Sequence, residues 1–204
     1  MSANYWLLRA FPNRNDHYSV FKNEEIIGLG WANINDLSGD NLQNLETLFN
    51  NNGYPAGSPQ SMGRRIGFFK RFIQEMKIGD YVLVPDGKGE ISIAVIDSSY
   101  YYKRVTKDLA HIRDVKWIKT IDFYDFPKRI QQLLSNRLTM ISLDKVSKDL
   151  EVIIQDNTQL EFQLSTEKVI IASSNNKDIN LRFNEEITKS ELETFFKKIL
   201  SNYF

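Results

Sequence analysis

Cysteine is absent from this sequence of 204 residues, and histidine occurs only twice, as His17 and His111. Without thiols there is no disulfide, no cysteine nucleophile and no thiolate metal site, and two histidines are too few for a histidine-built metal centre. No metal and no cofactor are therefore expected. Nowhere is there a run of about 18 apolar residues that would span a bilayer as a helix, and the Tyr5-Trp6-Leu7-Leu8 stretch is far shorter than the hydrophobic region of a secretion signal. The expectation is a cytoplasmic chain with no membrane partner. Net charge is lacking too, since Lys+Arg 26 and Asp+Glu 26 cancel, so any surface for a polyanion must be local. No Ser-His-Asp arrangement, Gly-Lys phosphate loop or dinucleotide fingerprint occurs, and no catalytic residue is assigned.

What is present is enough apolar material for a core: 42% hydrophobic residues, 12% of all residues aromatic. Residues 1–140 carry 18 Lys/Arg against 15 Asp/Glu, whereas 141–204 carry 8 against 11. Short β-rich runs separated by turn residues dominate the first part. Tyr5–Ala10 reads as a strand, and a second extended piece runs from Val20 and Phe21 to Ile26-Ile27-Gly28-Leu29-Gly30-Trp31. A short helix carries Leu42, Leu45, Leu48 and Phe49. A stronger one from Met62 to Met76 places Ile66, Phe69, Phe72, Ile73 and Met76 on one face. Tyr81–Pro85 and Glu90–Ile96 flank Asp86-Gly87-Lys88-Gly89 as a hairpin. Tyr100–Tyr102 and His111–Ile118 are two further strands, and Pro127 opens a helix with Ile130, Leu133 and Leu134. Beyond Asp144, Leu150–Ile154 and Leu160–Leu164 read as a hairpin around Asp156-Asn157, with strands at Val169–Ala172 and Ile179–Phe183. A final helix starts at the capping-box pair Thr188 and Glu191 and carries Leu192, Phe195, Phe196, Ile199 and Leu200. The fold class is α+β, with one domain over 1–143 and a small β+α subdomain over 144–204.

Taken in order, Tyr5-Trp6-Leu7-Leu8-Arg9, Ile27-Gly28-Leu29-Gly30-Trp31, the helix ending at Gly79-Asp80 before Tyr81–Pro85, the Ile91–Ile96 strand and the spaced set His111, Arg113, Val115 and Trp117 resemble the EVE/YTH-like branch of the PUA superfamily. The resemblance runs from Tyr5 to Ile141, and Ala94 stands where that branch carries a glycine. It implies a PUA-like curved β-barrel with flanking helices and a side pocket for a flipped or unpaired base. Such readers occur with modification-dependent restriction systems, so it also implies a DNA or RNA partner and a defence context. In such a pocket, stacking on aromatic faces supplies affinity and hydrogen bonds select the base.

For Trp31 two readings are open, a stacking face in that pocket or a core tryptophan beside a β-bulge, since two glycines before it leave room for a ligand or another backbone. Trp6 and Trp117 read as core. Tyr100, Tyr102, His111 and Arg113 complete the candidate base pocket, although a structural hydrogen-bonded His–Arg pair at a strand end is the more common role. Arg64, Arg65, Lys70, Arg71 and Lys77 make one basic cluster, and Lys103, Arg104 and Lys107 make a second beside the three tyrosines. Arg64, Arg65, Lys70, Arg71, Lys103 and Arg104 are the candidate phosphate contacts, against the plainer reading of solvated faces. Two other functional classes are open. Asp114 and Lys116, with Asp97 or Asp108, mimic the acidic pair and lysine of Mg²⁺-dependent nucleases. Alternatively the C-terminal helix, with Tyr203 and Phe204 beyond it, binds an effector protein or a second copy.

Overall fold

The computed structural model describes residues 3–12, 15–155, 160–163, 169–175, 178–183, 188, 190–194 and 196–197. The chain divides into two compact units, Met1–Ser147 and Lys148–Phe204. The first is a mixed α+β unit built on a curled half-barrel sheet. Its strands are β1 (Tyr5–Leu8), β2 (Ile26–Leu29), β3 (Tyr81–Pro85), β4 (Glu90–Ile96), β5 (Tyr101–Tyr102), β6 (His111–Asp122) and β7 (Met140–Ser142). Six of them run in the order β2-β6-β4-β3-β1-β7, and β5 pairs with β6. β1 and β3 are parallel, while the other neighbours are antiparallel.

The β3–β4 hairpin forms as its sequence dictates. Asp86 Oδ1 accepts the N–H groups of Lys88, Gly89 and Glu90 at 2.7, 3.1 and 2.9 Å. Gly87, at φ +79°, supplies the left-handed turn residue. The long strand β6 pairs with β2 over its first four residues and with β4 from Val115 onward. A bulge at Ile93/Ala94 shifts the register opposite Trp117 and leaves Ile118 exposed.

Helices α1 (Tyr18–Asn23), α2 (Leu45–Asn51), α3 (Pro59–Lys70) and α4 (Lys128–Leu134) flank the sheet. Ser58 caps α3 by accepting the Ser61 N–H at 3.2 Å, and Pro59 sits in its first turn. The expected Met62–Met76 helix does not run through in α form: from Arg71 to Glu75 it widens into a π turn. Asp80, 3% exposed, then ties this turn to β1. Its carboxylate accepts Trp6 Nε1 at 2.9 Å, the Asn4 N–H at 2.9 Å and the Lys77 N–H at 3.0 Å. The Gly-Asp turn is thus a buried anchor between two segments far apart in sequence.

Two expected elements are corrected. Val20 and Phe21 lie in α1, not in a strand. Asp16 Oδ1 accepts the Tyr18 N–H at 2.8 Å in a turn leading into the helix, and the Phe21 N–H reaches the His17 carbonyl at 2.9 Å, so the turn is settled by local bonds that a six-residue pattern does not reveal. Leu150–Ile154 is likewise helical, within α5 (Ser147–Gln155). There Leu150 and Ile153 are buried at helical spacing, which outweighs the strand-like Val-Ile-Ile run. Just after Leu143 comes a 3₁₀ turn over Asp144–Val146, in which Asp144 Oδ1 accepts the Tyr5 N–H at 3.1 Å and Val146 is buried.

In the second unit, β8 (Leu160–Gln163), β9 (Val169–Asn175) and β10 (Asp178–Phe183) form an antiparallel meander in the order β10-β9-β8. Residues 190–194 and 196–197 are helical. The capping box is made: Glu191 Oε2 accepts the Thr188 N–H at 2.9 Å and its hydroxyl at 2.7 Å, and the Thr188 hydroxyl accepts the Glu191 N–H at 3.4 Å. Asp156, Asn157, Leu164, Phe195, Ile199, Leu200, Tyr203 and Phe204 lie outside the described residues.

Gly28 shows why β2 carries glycine. A Cβ there would lie 2.7 Å from Leu109 Cδ1 and 2.8 Å from the His111 carbonyl oxygen, which is backbone and cannot yield. Gly28→Ala is expected to cost about 1–3 kcal/mol of stability through overpacking. By contrast Gly63, inside α3 with nothing within 4 Å of an added methyl, should accept alanine with a gain of about 0.5–1 kcal/mol. Urea unfolding of the two variants should therefore move in opposite directions.

Candidate functional site

Trp31 follows β2 with φ +59°, one of two non-glycine residues with positive φ among the described residues. A bulky side chain in left-handed backbone is held there by its surroundings, and such positions concentrate at functional sites. The indole is half-buried. Phe49 meets it edge-on at 5.7 Å between centroids and Phe69 at 5.5 Å. Trp31 also lines a pocket of about 60 Å³ with Arg9, Phe11, Pro12, Gly28, Gly30 and Thr139. The room beside the two glycines is taken by the protein itself, because added Cβ atoms would strike Leu109 and His111 at Gly28 and Pro12 at Gly30. Trp31 is therefore both a packing residue and a pocket wall.

The loop after Trp31 is fixed by tyrosines from three directions. The Asn33 N–H donates to Tyr54 Oη at 3.2 Å, the Leu37 N–H donates to Tyr100 Oη at 3.1 Å, and Tyr102 Oη donates to the Ala32 carbonyl at 3.1 Å. Arg104 Nη2 donates to that same carbonyl. From the other side, Arg65 Nη1 donates to the Tyr54 carbonyl at 2.7 Å, and its guanidinium lies 5.9 Å from the Phe49 ring centre. Arg104 is thus bonded to the loop that carries Trp31 directly, and Arg65 is linked to it through Tyr54.

His111 lies behind this loop with no solvent exposure. Its Nδ1 is 3.0 Å from Tyr100 Oη, and its ring meets Phe69 edge-on at 4.8 Å. Nε2 has no hydrogen-bond partner of good geometry, although the Trp31 backbone is close enough to favour the protonated ring. Burial is the dominant influence and pushes the imidazole down to about 4, with the Trp31 backbone and the Asp36 charge opposing it. Burial likewise raises the Tyr100 hydroxyl above its usual range. A base whose folded pKa lies below its unfolded value is protonated first in the unfolded chain. Its contribution to stability is therefore full above about pH 6.5 and is lost as pH falls toward 4. From pH 7 to pH 5 the wild type should lose about 1–2 kcal/mol more unfolding free energy than His111→Phe, measured by urea titration at both pH values.

Arg113 does not line this pocket. It is 3% exposed, and its fork is occupied by backbone: Nε donates to the Phe72 carbonyl at 2.8 Å, Nη2 to the Ile73 carbonyl at 3.1 Å and Nη1 to the Ser98 carbonyl at 2.9 Å. Burial lowers its pKa to about 10 despite the opposing charge of Asp80. The π turn frees carbonyls that an α-helix would bond internally, and Arg113 satisfies two of them. Tyr100, Tyr102 and His111 do not line the pocket either; they hold the loop that forms its wall. Missed in the sequence were Arg9, Phe11, Pro12 and Thr139, which come from the segment after β1 and the approach to β7. The Arg9 that closes Tyr5-Trp6-Leu7-Leu8-Arg9 was the available signal.

Of the six candidate phosphate contacts, Arg64, Lys70, Lys103 and Arg104 are exposed. Arg71 instead folds back over Phe68, 5.7 Å from the ring centre. The Asp114/Lys116 pair is divided between other partners: Tyr101 Oη donates to Asp114 Oδ1 at 2.6 Å, and Lys116 Nζ pairs with Asp97 at 2.9 Å on the surface. Among the described residues no group of three or more His, Asp or Glu side chains is placed to hold a metal ion, and no helix is long and apolar enough to cross a membrane.

The chain belongs to the family described as Domain of unknown function (DUF8426), whose profile matches residues 6–147. The match covers the half-barrel and its flanking helices, including every pocket-lining residue. No curated protein matches the chain.

Proposed function

We propose that the first unit is a PUA-like reader of nucleic acid that takes an unpaired or modified base against Trp31. The observation that carries this reading is the half-buried indole beside a pocket, on a loop that Arg104 of one basic cluster bonds directly and that Arg65 of the other braces through Tyr54. Arginines flanking an aromatic wall are what a single strand requires, with phosphates on the cations and a base face on the ring. The pocket holds about 60 Å³, less than half of the roughly 150 Å³ cavity that accommodates benzene. A base therefore enters by an edge or an exocyclic group, unless Phe11, 38% exposed, swings aside.

Charge reversal tests the phosphate side. Arg64→Glu with Lys103→Glu alters two exposed side chains and should lower affinity for single-stranded oligonucleotides. The slope of log K against log salt should fall by about one for each phosphate that the variant no longer neutralises. An unchanged affinity and slope would place the nucleic-acid surface elsewhere. A parallel incubation of DNA with Mg²⁺ or Mn²⁺ should leave it intact; metal-dependent cleavage abolished by Asp114→Ala would replace the reader with a nuclease.

A further inference from the structure

Arg9 follows β1 and forms part of the pocket wall beside Trp31, Phe11 and Thr139. Its guanidinium carries five N–H groups on a rigid plane, and one side of that plane is occupied: Nε donates to the Asn136 carbonyl at 2.6 Å and Nη2 to the Leu134 carbonyl at 3.1 Å. These two bonds orient the fork from the C-terminal end of α4. Its other edge, formed by Nη1 and the second hydrogen of Nη2, has no acceptor among the described residues. Among the described residues no carboxylate lies within salt-bridge distance of it. The charge that acts on it is a second cation, Arg137, which together with burial lowers the Arg9 pKa. Arg9 thus brings to the pocket wall a guanidinium oriented by two bonds, with a second pair of donors left over and a cation as its charged neighbour.

We infer that Arg9 makes this pocket selective for a base edge bearing two acceptors, as in N7/O6 of guanine or the carboxylate of an oxidised pyrimidine. The inference rests on the reader proposed above and names what it reads. An arginine fork matches two adjacent acceptors bidentately, whereas adenine presents an acceptor beside an amino donor and would set N–H against N–H. The small volume suits this mode, since only the edge has to enter. Thr139 adds a hydroxyl that accepts or donates as the edge requires.

The test is fluorescence anisotropy of the full chain with labelled oligothymidine strands carrying one central guanine, 7-deazaguanine, adenine, cytosine or 5-carboxylcytosine, all at one salt concentration. A bidentate contact is worth about 1–3 kcal/mol, so guanine or 5-carboxylcytosine should bind about 5- to 150-fold more tightly than adenine. Of the two, the tighter identifies the source of the edge. In the guanine case 7-deazaguanine, which lacks N7, should lose most of the advantage. Arg9→Lys, which keeps the charge and loses the fork, should bring the bases to within about twofold of one another. The wild-type series stands without that variant should it fold poorly. Equal affinities across the series, a preference for adenine, or discrimination that survives in a folded Arg9→Lys would overturn the inference while leaving the reader intact. Failure to bind any of the strands would overturn both.

Discussion

Arg113→Met should lower the unfolding free energy by roughly 3 kcal/mol, since each buried acceptor left without a donor costs about 1–3 kcal/mol and partial access of water relieves some of the sum. Three carbonyls lose their donor at once, those of Phe72, Ile73 and Ser98, and buried Asp80 loses the cation that acts with it. Methionine fills much of the volume, so the loss reports hydrogen bonding more than a cavity. Arg113→Lys should recover little, because an ammonium cannot reach three divergent carbonyls from one position. Denaturant unfolding of both variants checks this. An Arg113→Met protein within about 0.5 kcal/mol of wild type, with its binding reduced, would return Arg113 to the reading site.

Trp31→Ala should weaken binding of an unpaired strand by about 5- to 150-fold, the range for one base–aromatic stack. The same change removes packing against Phe49 and Phe69, so it will also lower stability. Trp31→Phe separates the two effects, as it keeps an aromatic face and much of the packing. Affinity near wild type for Trp31→Phe, together with a large loss for a still-folded Trp31→Ala, is the expected pattern. Equal affinity for all three proteins would make Trp31 a core residue in an unusual backbone conformation and nothing more.

The order of elements was largely legible where the local signal was strong. The Asp86-Gly87 turn fixes one hairpin, and the apolar stripe of α3 reads directly from its spacing. The misread segments are those whose conformation is settled by few residues or by distant ones. α1 is six residues long and is preceded by a turn in which Asp16 Oδ1 accepts the Tyr18 N–H. The π turn depends on an arginine about forty residues further along the chain. His111 and Arg113 share one strand pattern, yet one lies behind the Trp31 loop and the other at the π turn, a division that spacing alone does not carry. The pocket is assembled from the segment after β1, the segment around Gly28 to Trp31 and Thr139. Only Trp31 among these looked functional in isolation, because an arginine at a strand end is ordinary until the fold shows which of its donors are occupied.

The central claim is that an unpaired base is bound at Trp31. One titration tests it most directly: the full chain against a single-stranded oligonucleotide, the same sequence as a perfect duplex, and the duplex with one bulged base, at fixed salt. The single strand and the bulge should bind more tightly than the perfect duplex, because extrusion from a paired stack costs a few kcal/mol that the other two do not incur, and Trp31→Ala should erase the difference. Equal affinity for all three nucleic acids, or no binding to any of them, would contradict the account.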